Sequence, residues 1–315
     1  MPALCRAFFT PAFALACERA HGRAFVAVLR DDHEPVAFLA FQFAGRWQQC
    51  VGLAERIGGE LSDNAGLVAR PGFRITPTEL LRLAGLGVLF ISHLDPSQAA
   101  HGLVVEETRL GHVVDLARGS AAFVDHLERT NKAFLQETRR RLRRVEREIG
   151  PVTFTFSASP DRDAVRQVIT EKRQQYVRTE TGDPFGDPAH LRLIDILVET
   201  ADPMCQPVLE TLVAGDRVLA RHFGLMHAGR LTYWFPVYDL DARQLSPGRL
   251  QLWHSILRAE ENGVVAIDLG EGDSQAKRDF STTPVPLGRA SWNSGDLRGL
   301  LAGTSQRIAW RLQRR

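Results

Sequence analysis

The sequence predicts an α+β protein, with mixed α/β sheets that are mainly antiparallel and flanked by helices, arranged as two units. Three observations carry this. Residues 207–213, 217–226 and 231–238 are β-rich runs joined by the tight turns Gly215-Asp216 and Ala228-Gly229, which is the pattern of an antiparallel meander. A helical stretch and a further strand follow the meander, as in an α+β layer arrangement. A separate mixture of strands and helices precedes them, and 315 residues exceed one average domain.

In chain order, Thr10 caps a helix that Pro11 opens and Gly22 closes, with Phe13, Leu15, Ala16 and Ala20 as its apolar residues. Residues 24–29 and 36–43 read as strands on either side of an Asp31-Asp32 turn, hence a hairpin. Residues 45–71 are rich in glycine and turn formers. A helix begins over 80–84, and strands are expected at 88–92 and 102–109. This places the end of the first unit near residue 118. Residues 120–149 form one helix by pattern, since Phe123, Leu127, Phe134, Leu135, Leu142, Val145 and Ile149 recur at spacings near three, four or seven. Gly150-Pro151 stops it. The second unit, 151–315, then begins with a strand at 152–156 and helices at 161–176 and 188–199. After the meander come a helix over 247–262, stopped by Gly263, and a strand at 264–268.

Composition excludes several classes. An apolar share of 44% and a charged share of 24% belong to a globular protein rather than a disordered or fibrous one. A net charge of +2 gives no global field for DNA. Cys5, Cys17, Cys50 and Cys205 are scattered, without the spacing of a zinc ribbon or a disulfide framework, which fits a reducing, cytoplasmic setting. The apolar stretch 83–94 is too short for a membrane span, and the residues around Cys17 do not make a lipoprotein cleavage site, because Pro11 interrupts the stretch and Leu15 stands where a small residue is needed.

Three groups of residues carry candidate chemistry. The six arginines 139, 140, 141, 143, 144 and 147 could grip phosphates, or simply form a solvated face balanced by Glu137, Glu146 and Glu148. Arginine is this chain's default cation, since only three of 39 basic residues are lysines. Ser246-Pro247-Gly248 opens a helix, and the free amides and dipole of such a start attract an anion. Asp268, Glu271 and Asp273 lie in a glycine-spaced loop with Lys277 and Arg278. They could hold a metal, take a proton from a substrate amine, or form a salt-bridged turn. His222, mid-strand in the meander, is either a packed residue or a base.

These residues in series, His222-Phe-Gly-Leu, Trp234-Phe-Pro-Val-Tyr-Asp239, Ser246-Pro-Gly and Ile267-Asp-Leu-Gly-Glu-Gly-Asp273 with Lys277, resemble the GNAT-superfamily acetyltransferases associated with cellulose and other polysaccharide biosynthesis. Phe8-Phe-Thr-Pro-Ala-Phe13 and Leu61-Ser-Asp-Asn-Ala-Gly66 resemble that family's opening motifs. The resemblance implies two tandem GNAT-like domains, 1–118 and 151–315, connected by the Arg-rich helix 119–150. It implies transfer of an acetyl or longer acyl group from acyl-CoA to an amine or hydroxyl on a small-molecule, glycan or lipid acceptor, with peripheral association to an envelope-biosynthesis complex. Coenzyme A would sit at Tyr238, Arg243, Leu245, Ser246, Pro247, Gly248 and Arg249. His222, Asp268 and Lys277 are the implied catalytic set, with no metal. Ala276 stands where the family carries a tyrosine. Two other readings fit the same residues. One is a Fem-type aminoacyl transferase drawing on aminoacyl-tRNA, and the other is a non-catalytic GNAT scaffold.

Overall fold

The computed structural model describes residues 4–304. Contacts divide the chain into two compact units, residues 1–110 with 285–315 and residues 111–284. Each is a mixed, mainly antiparallel sheet flanked by helices. The unit limits fall at neither 118 nor 150, because the Arg-rich helices and residues 111–115 of the strand before them pack within the second unit, and residues 285–293 form a strand within the first.

In the first unit, α1 (Pro11–His21) begins where Thr10 Oγ1 accepts the Phe13 amide and ends at Gly22 in the left-handed region. The hairpin β1 (Ala24–Asp31) and β2 (Glu34–Gln42) turns through Asp32 and His33, both at positive φ. The glycine-rich stretch holds more structure than its composition suggests: α2 (Arg46–Val51), β3 (Leu53–Arg56) and β4 (Leu67–Ala69). Each is six residues or fewer, too short to show a period. A capping box between Thr76 and Glu79 starts α3 (Pro77–Ala84) three residues before the expected start, and β5 (Val88–Leu94) runs parallel to β3. The strand expected at 102–109 lies later, as β6 (Glu107–Asp115), because Gly102 takes a left-handed conformation that ends a 3₁₀ turn. The core of this unit packs Leu39, Leu67, Leu80, Leu81 and Leu89.

In the second unit, the single helix expected over 120–149 is two: α4 (Gly119–Thr130) and α5 (Lys132–Glu148). Asn131 leaves helical geometry between them, at φ −148° and ψ 55°, and its amide closes α4 on the Leu127 carbonyl. The apolar pattern continues across the break because Phe123, Leu127, Phe134 and Leu135 all face one core. Next come β7 (Val152–Ser157), α6 (Arg162–Arg178) and α7 (Pro188–Thr200), the helices capped by Asp161 and Asp187. The meander is β8 (Gln206–Ala214), β9 (Arg217–His227) and β10 (Arg230–Tyr238), antiparallel throughout. Helix α8 (Pro247–Leu257) ends earlier than expected, and a 3₁₀ turn reaches Gly263. It carries the chain to β11 (Ala266–Glu271), which lies parallel to β10 and antiparallel to β6. The short α9 (Gln275–Phe280) follows, and then β12 (Thr283–Asn293), which from residue 285 belongs to the first unit and pairs antiparallel with β5.

Candidate functional site

The site is set by how β10 and β11 part. Their parallel pairing covers only Arg230–Ala266, Leu231–Ile267 and Thr232–Asp268. Beyond Thr232 the register of β10 against β9 shifts, so Tyr233 and Trp234 lie in a bulge, and a bulge bends its strand.

The bulge is held from below. His222 is fully buried; its Nδ1 lies 2.8 Å from Glu210 Oε2 and its Nε2 accepts the Trp234 amide at 3.0 Å. These partners place the ring proton on Nδ1 and leave neither nitrogen for a substrate. Glu210, also buried, accepts the Ser255 hydroxyl at 2.8 Å. The Tyr233 ring stacks on His222 with centroids 4.0 Å apart. Burial, then the Glu210 carboxylate, push the Tyr233 phenol well above the usual tyrosine range. Gly224 completes the arrangement, since a Cβ there would come within 2.3 Å of the Thr232 carbonyl oxygen and 2.7 Å of the His222 ring.

The acidic loop after β11 is a hydrogen-bonded turn. Asp268, 5% exposed, accepts the Gly270 amide at 3.1 Å and has Arg230 at 3.9 Å. Asp273 pairs with Arg278 at 2.9 Å and with His112 at 3.1 Å, and Arg278 above all holds its carboxyl below the usual range. Among the described residues no cluster of His, Cys, Asp or Glu could hold a metal. Lys277 donates to the carbonyls of Glu271 (2.6 Å) and Gly270 (3.4 Å).

A residue not singled out in the sequence reaches the other diverging strand from a helix. Lys172, buried on α6, donates to the Pro236 carbonyl of β10 at 3.1 Å. Burial, then the Lys277 charge, bring its pKa down from 10.5 to about 8. Two of the chain's three lysines thus converge on main-chain carbonyls of the two parting strands. Lysine's rarity was the available signal, but it pointed to Lys277 alone, because Lys172 sits in an ordinary polar helix sequence.

The start of α8 is the remaining component. Ser246 has φ 54° and ψ 56°, and its hydroxyl makes no cap; instead it lies 2.6 Å from Arg141 Nη1. Arg141 also reaches the Gln244 carbonyl at 3.0 Å and Glu137 at 2.7 Å. Arg249 lies over the Phe134 ring at 4.6 Å, and burial, followed by the Arg141 charge, holds it below the usual arginine range. Pro247 and Leu245 are buried, while Gly248 has space: a Cβ there would meet only Tyr238, at 3.6 Å. Arg243 lies on the exposed turn before Ser246. The structure therefore gathers Tyr238, Ser246, Gly248 and Arg249 with Arg141. His222 and Asp268 are buried among their own partners. Four of the other arginines of α5, Arg139, Arg140, Arg144 and Arg147, form a balanced face, paired to Glu128, Glu137 and Glu148.

Residues 132–278, within the second unit, match the family model described as Acetyltransferase (GNAT) domain. The particular solved structures similar to the whole chain share little sequence. FemX matches at 11% identity and a TM-score of 0.55, over 93% of each chain. A conserved protein of unknown function from Bacteroides thetaiotaomicron matches at 11% and 0.54, over 92% of this chain and 91% of that one. The C-terminal domain of a putative lysylphosphatidylglycerol synthetase from Agrobacterium fabrum matches at 14% and 0.50, over 93% and 91%. At such identities the likeness is one of fold. No curated protein matches the chain.

Proposed function

We propose that the second unit is an acyl-CoA-dependent N- or O-acyltransferase whose donor seats its pyrophosphate on the first turn of α8. The observation that carries this reading is the pairing of Ser246 with Arg141. A serine hydroxyl at a helix start ordinarily caps a first-turn amide; here it is engaged by a guanidinium, while the Ser246 carbonyl takes the Arg249 and Leu250 amides, which leaves the Gly248 amide for another anion. Arg141 and Arg249 add charge beside it.

The donor thioester then lies where β10 and β11 part, and transfer needs an oriented acceptor, a polarised carbonyl and a proton acceptor. His222 is a positioning residue in this scheme: with Glu210 it fixes the bulge that aims the β10 backbone at the carbonyl. Lys172, partly neutral near pH 8, is the proposed proton acceptor as the acceptor's amine or hydroxyl attacks and coenzyme A leaves as the thiol. Lys277 holds the Gly270-Glu271 turn, and Asp268 fixes that turn's amide from within. The acceptor is a small molecule, glycan or lipid, and polysaccharide or envelope biosynthesis in the cytoplasm is the setting the sequence resemblance implies. Among the described residues no helix is long and apolar enough to cross a membrane.

The test is binding of acetyl-CoA and longer acyl-CoAs by calorimetry, followed by turnover with panels of amines and sugars. Stabilisation by aminoacyl-tRNA with none by acyl-CoA would favour the Fem-type reading, and stabilisation by neither would favour a scaffold.

A further inference from the structure

Residues 297–304, which follow β12 in the first unit, are helical and take no part in the chemistry described above. Asp296 starts the helix: its Oδ1 accepts the Ser294 hydroxyl at 2.6 Å and the Gly299 amide at 2.9 Å. One face is packed closely. Gly299 and Ala302 are buried; a Cβ on Gly299 would come within 2.3 Å of Asn293 Oδ1, and one on Gly87 within 2.9 Å of the Ala302 Cβ. Arg298 ties the helix to the end of α3 by donating to the Gly85 carbonyl, and Arg82 of α3 donates to the Ser294 carbonyl at 2.9 Å. The opposite face is open. Leu297, Leu300 and Leu301 stand at the i, i+3, i+4 spacing of one stripe and are 72%, 65% and 56% exposed. A single exposed leucine needs no explanation, whereas three adjoining on one helix face make a contact surface.

Charge identifies what meets it. From 297 to 315 the sequence holds Arg298, Arg307, Arg311, Arg314 and Arg315 and no Asp or Glu, with Ile308, Trp310 and Leu312 among them. In a chain of net charge +2, the side chains of this one segment carry +5. Asp296, just before it, is engaged at the helix start, and Arg82 adds a further cation. Exposed leucines accompanied by arginines match a surface that is negative at its face and apolar beneath. Nucleic acid would use the arginines and leave the leucines in water. A second copy would cover the leucines but bring two sets of arginines together with no acid to offset them.

We infer that residues 297–315 attach the protein to the surface of an anionic lipid bilayer. Leu297, Leu300 and Leu301 enter the boundary between headgroups and acyl chains, and the arginines meet the lipid phosphates. The attachment lies in the first unit and does not depend on the acyl-CoA reading of the second.

The test is sedimentation of the full-length protein with vesicles of phosphatidylcholine alone and of equal parts phosphatidylcholine and phosphatidylglycerol. The protein binds the anionic vesicles at least about tenfold more tightly, and added salt weakens that binding. Leu300→Glu with Leu301→Glu alters only exposed side chains, so the melting temperature is kept while the binding is lost. Arg311→Gln weakens it about fivefold, the contribution of one arginine at such a surface. Equal binding to the two kinds of vesicle, binding to neither, or undiminished binding by the double leucine variant would overturn the assignment. A dimer in sedimentation without vesicles that the double variant dissociates would equally overturn it, since a second copy would then cover the stripe. So would RNA bound more tightly than the anionic vesicles, which would give the arginines to nucleic acid.

Discussion

Arg141 Nη1 lies 2.6 Å from Ser246 Oγ, so the hydroxyl at the start of α8 serves a side chain from α5 instead of capping its own helix. An arginine that could spend its charge in solvent is held at a helix start, beside Arg249, whose own ionisation it opposes. Glu137, 2.7 Å from Arg141, offsets part of this positive charge beside the dipole end, and a pyrophosphate would neutralise the rest.

If that is the role of the pair, Arg141→Ala and Arg249→Ala each weaken acyl-CoA binding by roughly ten- to a hundredfold, the range of one charge-assisted contact. Calorimetry at two salt concentrations checks this. The loss shrinks at high salt in both variants, whereas Arg144→Ala, whose partner is Glu148, binds as the unaltered protein does.

The histidine network yields a stability prediction. Glu210→Ala leaves the His222 Nδ1–H buried without an acceptor, while the Ser255 hydroxyl keeps the Gln251 carbonyl at 3.1 Å, and costs about 3 kcal/mol in urea unfolding. Gly224→Ala also destabilises, because its Cβ would press on the Thr232 carbonyl and the His222 ring. A His222→Asn protein that folds and keeps the pH profile of transfer would separate a positioning role from that of a base.

Lys172 makes stability depend on pH in a defined direction. Its pKa is about 8 in the folded protein against 10.5 ordinarily. Between those values the unfolded chain holds the proton and the folded one has lost it, so stability rises with pH through the window and this contribution is absent below 8. The gain is at most about 3 kcal/mol. Urea unfolding at pH 7.5 and 9.5 checks it, read as the difference between the unaltered protein and Lys172→Met, in which this slope disappears.

What the sequence disclosed follows from how local each signal is. The ends of α1 were legible because Thr10, Pro11 and Gly22 act within their own helix, and the meander because its turns are two residues long. The break at Asn131 was hidden, since Phe123 to Leu135 keep one apolar face across it. β3 and β4 were hidden by brevity. In the site, Ser246 to Arg249 could be read from the helix start, but Arg141 and Lys172 could not be told from neighbouring cations. Their roles come from contacts to residues 105 and 64 positions away. His222 was located by its motif, yet the motif is silent on Glu210, which occupies it.

The central claim is that an acyl-CoA sits on the first turn of α8, and thermal unfolding with saturating acetyl-CoA and longer acyl-CoAs tests it most directly. A ligand at a hundred times its Kd adds about 2.7 kcal/mol by mass action, a rise of several degrees. Gly248→Ala keeps that rise, since its Cβ meets only Tyr238 at ordinary contact distance, and Gly248→Glu loses it by placing a carboxylate in the phosphate seat. No rise with any acyl-CoA, or an undiminished rise in Gly248→Glu, would contradict the account.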